Sequence, residues 1–245
     1  MIHKETYPVR WHETNAHREM RPGALLALMQ ETANLQFKKS GRSLDRIRDE
    51  EGVGFILTRL TADIKAPIHA YEEVTVETFT CPARGLTFPR GFVVKREGKV
   101  VAQCHSTWAL LRVDTHTPVR ADDFALSFGD EAEVVTDTPL RFRAPREAVF
   151  RHVGSYTVSF ADLDYNMHMN NTKYPDMVCN FLPDPATLQI TGFSLSFLHE
   201  AAYGDTVEIE RAEGEGGTYY FRTKKGDSIC LEAMVTTKKR EVTPS

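Results

Sequence analysis

The chain has 245 residues, of which 41% are hydrophobic and 26% charged, a composition typical of a globular protein that excludes a disordered chain. Its formal net charge of −4 provides no overall basic field for nucleic acid or an anionic membrane. The longest apolar runs, such as 108–111, are too short to span a bilayer, and the N-terminus has no apolar signal segment. We therefore expect a cytoplasmic protein with no membrane or nucleic-acid partner.

The cysteines do not form a recognisable binding pattern. Four of them, Cys81, Cys104, Cys179 and Cys230, lie far apart with no C-x-x-C pair. This spacing indicates neither a zinc site nor a dense set of disulfides, and it suits a reducing compartment. We predict that the protein uses no metal and no cofactor.

The first half of the chain predicts a strand, a long helix and then more strands. Residues 7–11 alternate in polarity as a strand does, and Pro22 and Gly23 open a helix that ends near Gly41. One face of this helix carries the apolar residues Leu25, Leu28, Met29, Ala33 and Phe37. Further strands are predicted at 74–79, 92–95 and 100–113, the last two joined across a turn at Glu97 and Gly98.

The second half repeats this order. A strand at 156–160 precedes a shorter helix whose apolar stripe is Tyr174, Met177, Val178, Phe181 and Leu182, closed by Pro183. Strands follow at 194–199, 207–211, 219–223 and 229–237. The repeat predicts an α+β fold of two units, 1–120 and 149–245, each an antiparallel sheet wrapped around its helix. Residues 121–148 form the linker, which is rich in Asp, Glu, Thr and Pro.

The polar segment 162–171 lies between a predicted strand and the second helix. In an extended chain Asp164, Asn166 and His168 point to the same side, because side chains alternate. A carboxylate, an amide and an imidazole would then lie beside the positive end of the helix dipole, together with the N–H groups near Asn170 and Asn171. These groups could bind and activate a polar substrate.

Three other interpretations of this segment compete with this one. It could be a polar loop that only caps the helix. A calcium loop is opposed by Met167, at the position that requires Gly, and by Lys173, at the position of the bidentate Glu. A metal site built from His168, His199 and Glu200 has no compact spacing to support it.

The same segment resembles a known family. The run Asp162-Leu163-Asp164-x-Asn166-x-His168-x-Asn170-Asn171-x-x-Tyr174 is similar to the active-site signature of the fatty acyl-acyl carrier protein (acyl-ACP) thioesterases of plants and bacteria. Weaker similarities are the first strand with Glu13 and Asn15, the segment 108–120, and Phe197-Leu198-His199-Glu200, where the family has a strand ending in its catalytic Glu. The resemblance covers about residues 7–238.

The resemblance implies a double hot-dog fold and a thioesterase that releases free fatty acid from the carrier protein in fatty acid biosynthesis. It also implies that Asp164, Asn166, His168 and Glu200 form the catalytic network. Plant members commonly have Cys directly after the Glu, whereas this chain has Ala201, so we expect attack by water rather than by a thiol. The plastid-targeting extension of the plant proteins is missing, which suggests a bacterial-type enzyme.

The first unit is expected to bind rather than react. When the two first strands are aligned, the residues that correspond to Asp162, Asp164, Asn166 and His168 are Glu13, Asn15, His17 and Glu19. We therefore predict one working site per chain, in the second unit, with the first unit forming the wall of the acyl pocket. Leu28 and Met29 are the predicted chain contacts, and Asn166 with the N–H groups near Asn170 and Asn171 are the predicted oxyanion contacts.

The expected partner is an acidic acyl carrier protein bound to basic side chains. The candidates are Lys38, Lys39, Arg42, Lys173, Lys224 and Lys225, although such charges usually form only a solvated face. The protein is expected to be a monomer or a homodimer. An acyl-CoA thioesterase, a hydroxyacyl dehydratase of the same fold and a non-catalytic acyl-thioester-binding module remain alternatives, and the sequence does not decide whether Glu200 or His168 is the primary base.

Overall fold

The computed structural model describes residues 2–124, 126, 128, 132–133 and 136–240. The chain divides into two compact units, residues 1–137 and 138–245. The first contains β1 (His3–Pro8), α1 (Pro22–Lys39), α2 (Leu44–Glu51), β2 (Val53–Ile64), β3 (Glu73–Thr80), β4 (Phe88–Arg96), β5 (Lys99–Arg112) and β6 (Pro118–Val119). The second contains β7 (Arg151–Thr157), α3 (Lys173–Asn180), β8 (Leu188–Phe197), β9 (Thr206–Glu213), β10 (Thr218–Lys225) and β11 (Ser228–Lys239).

Within the first unit the strands form an antiparallel sheet in the order β1-β3-β4-β5-β2, with β6 paired to β5. The long helix α1 packs on this sheet against β1 and β3. It begins with Pro22 at its first position and ends before Gly41, whose φ of +81° suits glycine. The predicted stripe of α1 is buried throughout: Leu25, Leu28, Met29, Ala33 and Phe37 are at most 8% exposed.

The second unit repeats the arrangement with a shorter helix. Its antiparallel sheet has the order β8-β11-β10-β9-β7. The helix α3 has 8 residues against 18 in α1. It ends at Asn180, two residues earlier than predicted, because Pro183 disfavours helical conformation at Leu182. The predicted α+β fold of two sheet-and-helix units is confirmed.

The first strand of each unit lies earlier in the chain than predicted. The strands β1 and β7 end at Pro8 and Thr157, and a short 3-10 turn follows each of them. A carboxylate closes each turn: Glu13 Oε2 accepts a hydrogen bond from the Arg10 N–H at 2.7 Å, and Asp162 Oδ2 accepts one from the Ser159 N–H at 2.9 Å. The alternating polarity of residues 7–11 and 156–160 therefore continues past the end of each strand, into residues that leave the sheet.

Three elements of the first unit, α2, β2 and the two-residue β6, were not predicted. The helix α2 buries a single apolar residue, Ile47, so it shows no apolar stripe. The strand β2 has a register irregularity between Leu57 and Arg59, which breaks its alternation. Both ends of α2 do carry local signals, since the Ser43 hydroxyl accepts from the Arg46 N–H and Gly52 closes the helix with a φ of +66°.

Part of the predicted linker packs on the first unit. Phe124 is buried in a cluster with Phe37, Phe88 and Leu110, and Leu126 and Phe128 lie against it. These apolar contacts place Phe124, Leu126 and Phe128 of the predicted linker with the compact first unit.

Candidate active site

The polar segment of the second unit forms a tight loop around Asp164. Its Oδ1 atom accepts hydrogen bonds from the backbone N–H groups of Asn166, at 2.8 Å, and His168, at 3.3 Å. The Asp164 N–H in turn donates to the His168 carbonyl at 2.8 Å. Met167, at the tip, has a φ of +65°. The Asp164 carboxylate therefore shapes the loop and presents His168 at its end.

The segment after β8 brings Glu200 to this loop. The Met169 N–H donates to the Ala201 carbonyl at 2.8 Å, and His168 and Ala202 form an isolated antiparallel bridge. His168 Nδ1 then lies 3.2 Å from Glu200 Oε2. The two side chains are 34% and 60% exposed, so the pair is open to water. Glu200 lies three residues beyond the end of β8, not at the end of the strand as expected.

A second carboxylate holds the segment on which Glu200 lies. Asp205 Oδ2 accepts hydrogen bonds from the Ala202 N–H and from Lys225 Nζ, both at 2.8 Å. These two donors, Lys225 first, hold the pKa of Asp205 below its ordinary value. Asp205 was not among the predicted site residues. Its position after a Tyr-Gly turn gave no signal that it would support the partner of His168.

The residues at the start of α3 differ in how their polar groups are used. Asn170 Oδ1 accepts from the Thr172 N–H at 3.0 Å and from the Thr172 hydroxyl at 2.8 Å, while the Asn170 N–H donates to the Asp162 carbonyl at 2.8 Å. The Asn171 N–H donates to no residue that the structure describes. The side chain of Asn166 is exposed. The Asn171 N–H and the Asn166 amide are therefore the donors available to a substrate.

Tyr174 is a buried residue close to two carboxylates of the site. It is 3% exposed, and its ring packs edge-on against Phe197 with the centroids 5.5 Å apart. Burial raises the pKa of Tyr174, and the nearby Cys230, Glu200 and Asp164 side chains raise it further. The phenol therefore stays neutral and lies close enough to the carboxylates to sense their charge.

Several predicted alternatives find no support in this geometry. Within the described ranges no three His, Cys, Asp or Glu side chains are grouped as metal ligands would be. His199 lies beside the Ile229 carbonyl, with its Nδ1 atom 2.8 Å from that oxygen. Removal from water raises the pKa of both Cys179 and Cys230, so neither is an activated thiolate.

Two family models match the chain. One, described as the acyl-ACP thioesterase N-terminal domain, matches residues 1–126, and the other, described as the acyl-ACP thioesterase C-terminal domain, matches residues 147–238. The chain belongs to the acyl-ACP thioesterase family. The predicted family and the predicted class of enzyme, a thioester hydrolase acting on fatty acyl-ACP, are thereby confirmed.

Solved structures support the fold of this thioesterase. An acyl-ACP thioesterase from Bacteroides thetaiotaomicron is 20% identical, with 97% of this chain and 98% of that chain covered and a TM-score of 0.80. A 12:0-ACP thioesterase from Umbellularia californica is 20% identical, with 98% of each chain covered and a TM-score of 0.82. The double hot-dog fold predicted from the sequence is thus confirmed. No curated protein matched the sequence.

The structure also places the remaining predicted residues of the thioesterase. Leu28 and Met29 are buried in the first unit, at 8% and 1% exposure. Most of the proposed docking residues face a carboxylate of the same chain; the pairs are Lys39 with Glu5, Arg42 with Glu51, Lys173 with Asp162, Lys224 with Glu210 and Lys225 with Asp205. Over the residues that the structure describes, no helix has the length and apolar character needed to cross a membrane.

Proposed function

We propose that this thioesterase hydrolyses fatty acyl-ACP at the His168–Glu200 pair, with water as the nucleophile. The observation that carries the proposal is the 3.2 Å separation between His168 Nδ1 and Glu200 Oε2, in side chains that remain open to solvent. A carboxylate at this distance can orient the imidazole, accept a proton through it, or act on water beside it. The absence of a thiol after Glu200, where Ala201 stands, favours water over a covalent route.

The reaction needs one activated water molecule and one place for negative charge. The water oxygen bonds to the thioester carbonyl carbon while its proton passes to the His168–Glu200 pair. The tetrahedral intermediate then collapses, the carbon–sulfur bond breaks, and the thiolate leaves and takes up the proton. The fatty acid and the free thiol of the carrier are the products. A positioned base of this kind contributes roughly 10²- to 10⁴-fold to the rate.

The start of α3 supplies candidate donors for the oxyanion. The Asn171 N–H and the Asn166 side chain would hydrogen-bond the carbonyl oxygen as its charge develops, each donor being worth on the order of 3 kcal/mol. Asn170 would act indirectly, because its Oδ1 already holds Thr172 in place. Asp164 would position Asn166 and His168 through their backbone N–H groups rather than take part in proton transfer.

The acyl chain and the carrier require different surfaces. Burying the chain contributes about 0.8 kcal/mol per CH₂, and we propose that Leu28 and Met29 are among its contacts. The acidic carrier would dock on the lysines and arginine named above, in competition with the carboxylates that already face most of them. We further propose a monomer or homodimer that works in the cytoplasm.

The decisive experiment measures release of thiol from a panel of acyl-ACP and acyl-CoA thioesters of graded length. The variant Glu200→Gln should lower kcat by roughly 10²- to 10⁴-fold. Glu208→Gln is the matched control, because Glu208 also lies 3.2 Å from a histidine, His152, in the same unit. The control should stay within about threefold of the parent.

Each other outcome excludes one form of the proposal. If Glu200→Gln stays within about tenfold of the parent, the assignment of the base is wrong. Loss of water from a hydroxyacyl substrate without release of thiol would instead indicate a dehydratase, and tight binding without turnover would indicate a binding module.

A further inference from the structure

The interior of the first unit contains a buried arginine in a mostly apolar setting. Arg90 lies on β4, is 5% exposed and points to the side of the sheet that faces α1. One of its nitrogens, Nη1, donates to Gln36 Oε1 at 2.6 Å and to the Thr78 hydroxyl at 3.1 Å. Burial lowers the pKa of Arg90 to about 10, so the side chain still carries its charge at neutral pH.

The charge of Arg90 is poorly compensated. In the part of the chain that the structure describes, no carboxylate pairs with it and its second nitrogen, Nη2, has no hydrogen-bond partner. Two aromatic rings cover the guanidinium instead, with its central carbon 5.4 Å from the centroid of Phe37 and 5.5 Å from that of Phe128. Such contacts offset only part of the cost of removing a cation from water. Stability alone therefore does not account for an arginine at this position.

The position of Arg90 along α1 relates it to the proposed acyl contacts. Gln36 lies seven residues beyond Met29, about 10 Å along the helix axis, on the same buried face. The stretch before Gln36 presents Leu25, Leu28, Met29 and Ala33, whereas Phe37, beyond it, belongs to the aromatic cluster with Phe88 and Phe124. Arg90 thus separates the apolar first part of the α1 interior from that cluster.

The second unit does not have an arginine at the position equivalent to Arg90. Arg90 lies six residues before the end of β4, and the same place in β10 is occupied by Tyr219. Both strands have a register irregularity two residues before their ends, at Val94 and Thr223, which supports this alignment. The helix α3 also lacks the additional turns that carry Gln36 and Phe37 in α1.

We propose that Arg90 is a specificity-determining residue of this thioesterase: its side chain closes the apolar interior beneath α1 and sets the upper limit of acyl chain length. The inference rests on the proposed function, in which the chain lies along Leu28 and Met29. The guanidinium occupies the space that a longer chain would need.

Three variants distinguish the effect of the volume of Arg90 from the effect of its charge and from a general loss of core packing. Arg90→Ala removes both the volume and the charge, and Arg90→Met keeps most of the volume without the charge. Phe79→Ala removes a buried ring from β3 on the opposite face of the sheet, where the ring lies over Gly91. The readout is kcat/KM for acyl-ACP substrates of graded length, with the thermal midpoint Tm measured for each variant.

We expect Arg90→Ala to raise kcat/KM for chains two or more carbons beyond the parent's limit by at least about tenfold, relative to the parent's preferred chain. Arg90→Met should keep the parent's limit and keep or raise Tm, since an apolar residue of similar volume replaces a poorly paired buried charge. If Arg90→Ala does not fold, Arg90→Val, which suits a strand, provides the same comparison.

An unchanged length profile in Arg90→Ala overturns the proposal, as does an equal shift in Arg90→Met or in Phe79→Ala. Failure of the parent to release thiol from any acyl-ACP is a different result, because it rejects the proposed function before Arg90 is tested.

Discussion

The loops 14–20 and 163–169 have the same backbone and different side chains. In each, the second residue of the loop accepts two N–H bonds: Asn15 Oδ1 from His17 and Glu19, and Asp164 Oδ1 from Asn166 and His168. In each, the tip residue has a positive φ, 60° at Arg18 and 65° at Met167. Each loop is then held to a later segment of its own unit: the Met20 N–H donates to the Ile68 carbonyl, and the Met169 N–H donates to the Ala201 carbonyl.

The two loops differ at the positions where chemistry is proposed. His168 corresponds to Glu19, and Glu200, directly before Ala201, corresponds to Pro67, directly before Ile68. The hydrogen bonds that build the loop are thus a property of the repeated fold, and only the second unit has an imidazole and a carboxylate at these two positions. Equivalent substitutions in the two loops can therefore separate the scaffold from catalysis.

The largest expected effect is on His168. His168→Ala should lower kcat by roughly 10²- to 10⁴-fold, since the proposed proton acceptor next to Glu200 is lost. Glu19→Ala, at the same place in the first unit, should stay within about threefold. Steady-state kinetics on one acyl-ACP substrate checks both. Comparable losses from the two variants would show that the first loop also contributes to the reaction.

The next effect concerns Asp164. Asp164→Ala removes the acceptor of two backbone N–H bonds, and should lower stability by about 1–3 kcal/mol and kcat by up to about 10²-fold through misplacement of His168. Asp164→Asn should recover most of both, because Asn15 already performs this task in the first unit. Kinetics and chemical denaturation measure the two quantities. If Asp164→Asn is as inactive as Asp164→Ala, the negative charge of Asp164 takes part in the reaction.

Local features of this arrangement could be predicted from the sequence, whereas contacts between distant residues could not. The repeat, the α1 stripe and the seven later strands were predictable because apolar periodicity is local, whereas α2 buries only Ile47 and gives no such signal. His168 and Asp164 were found through a contiguous segment and its family resemblance. Asp205 was not, because its contact with Ala202 depends on a turn that no periodicity reports. Arg90 likewise acquires its setting from Gln36 and Phe128, which are distant in sequence.

A smaller effect concerns the carboxylates that hold the two segments. Lys225 and the Ala202 N–H lower the pKa of Asp205. Burial alone would raise the pKa of Glu72, but hydrogen bonds from the His69 N–H and from Arg96 outweigh it, so this pKa is also lowered. A carboxyl with a lowered folded pKa stabilises the protein above its unfolded pKa, about 4, and this contribution is lost as the pH falls through the folded value.

Denaturation of Asp205→Asn and Glu72→Gln across a pH series checks this sign. Each variant should be less stable than the parent at neutral pH, and the difference should shrink as the pH falls below about 4. Only Asp205→Asn should also lower kcat, because Ala202 is bridged to His168. A difference in stability that stays constant down to the acid limit would show that the charges of these carboxylates contribute nothing.

The smallest effect distinguishes the two loop tips. A left-handed conformation costs a non-glycine residue roughly 1–2 kcal/mol, and substitution by glycine removes this cost. Part of the gain in stability is lost because glycine has more conformational entropy in the unfolded chain. Met167→Gly should therefore raise stability by about 0.5–1 kcal/mol. Arg18→Gly should gain less, because the Arg18 guanidinium lies 5.5 Å from the centroid of the Trp11 ring and that contact is lost. Thermal unfolding of both variants measures the difference, and a larger gain at Arg18 would mean that the two tips are not equally strained.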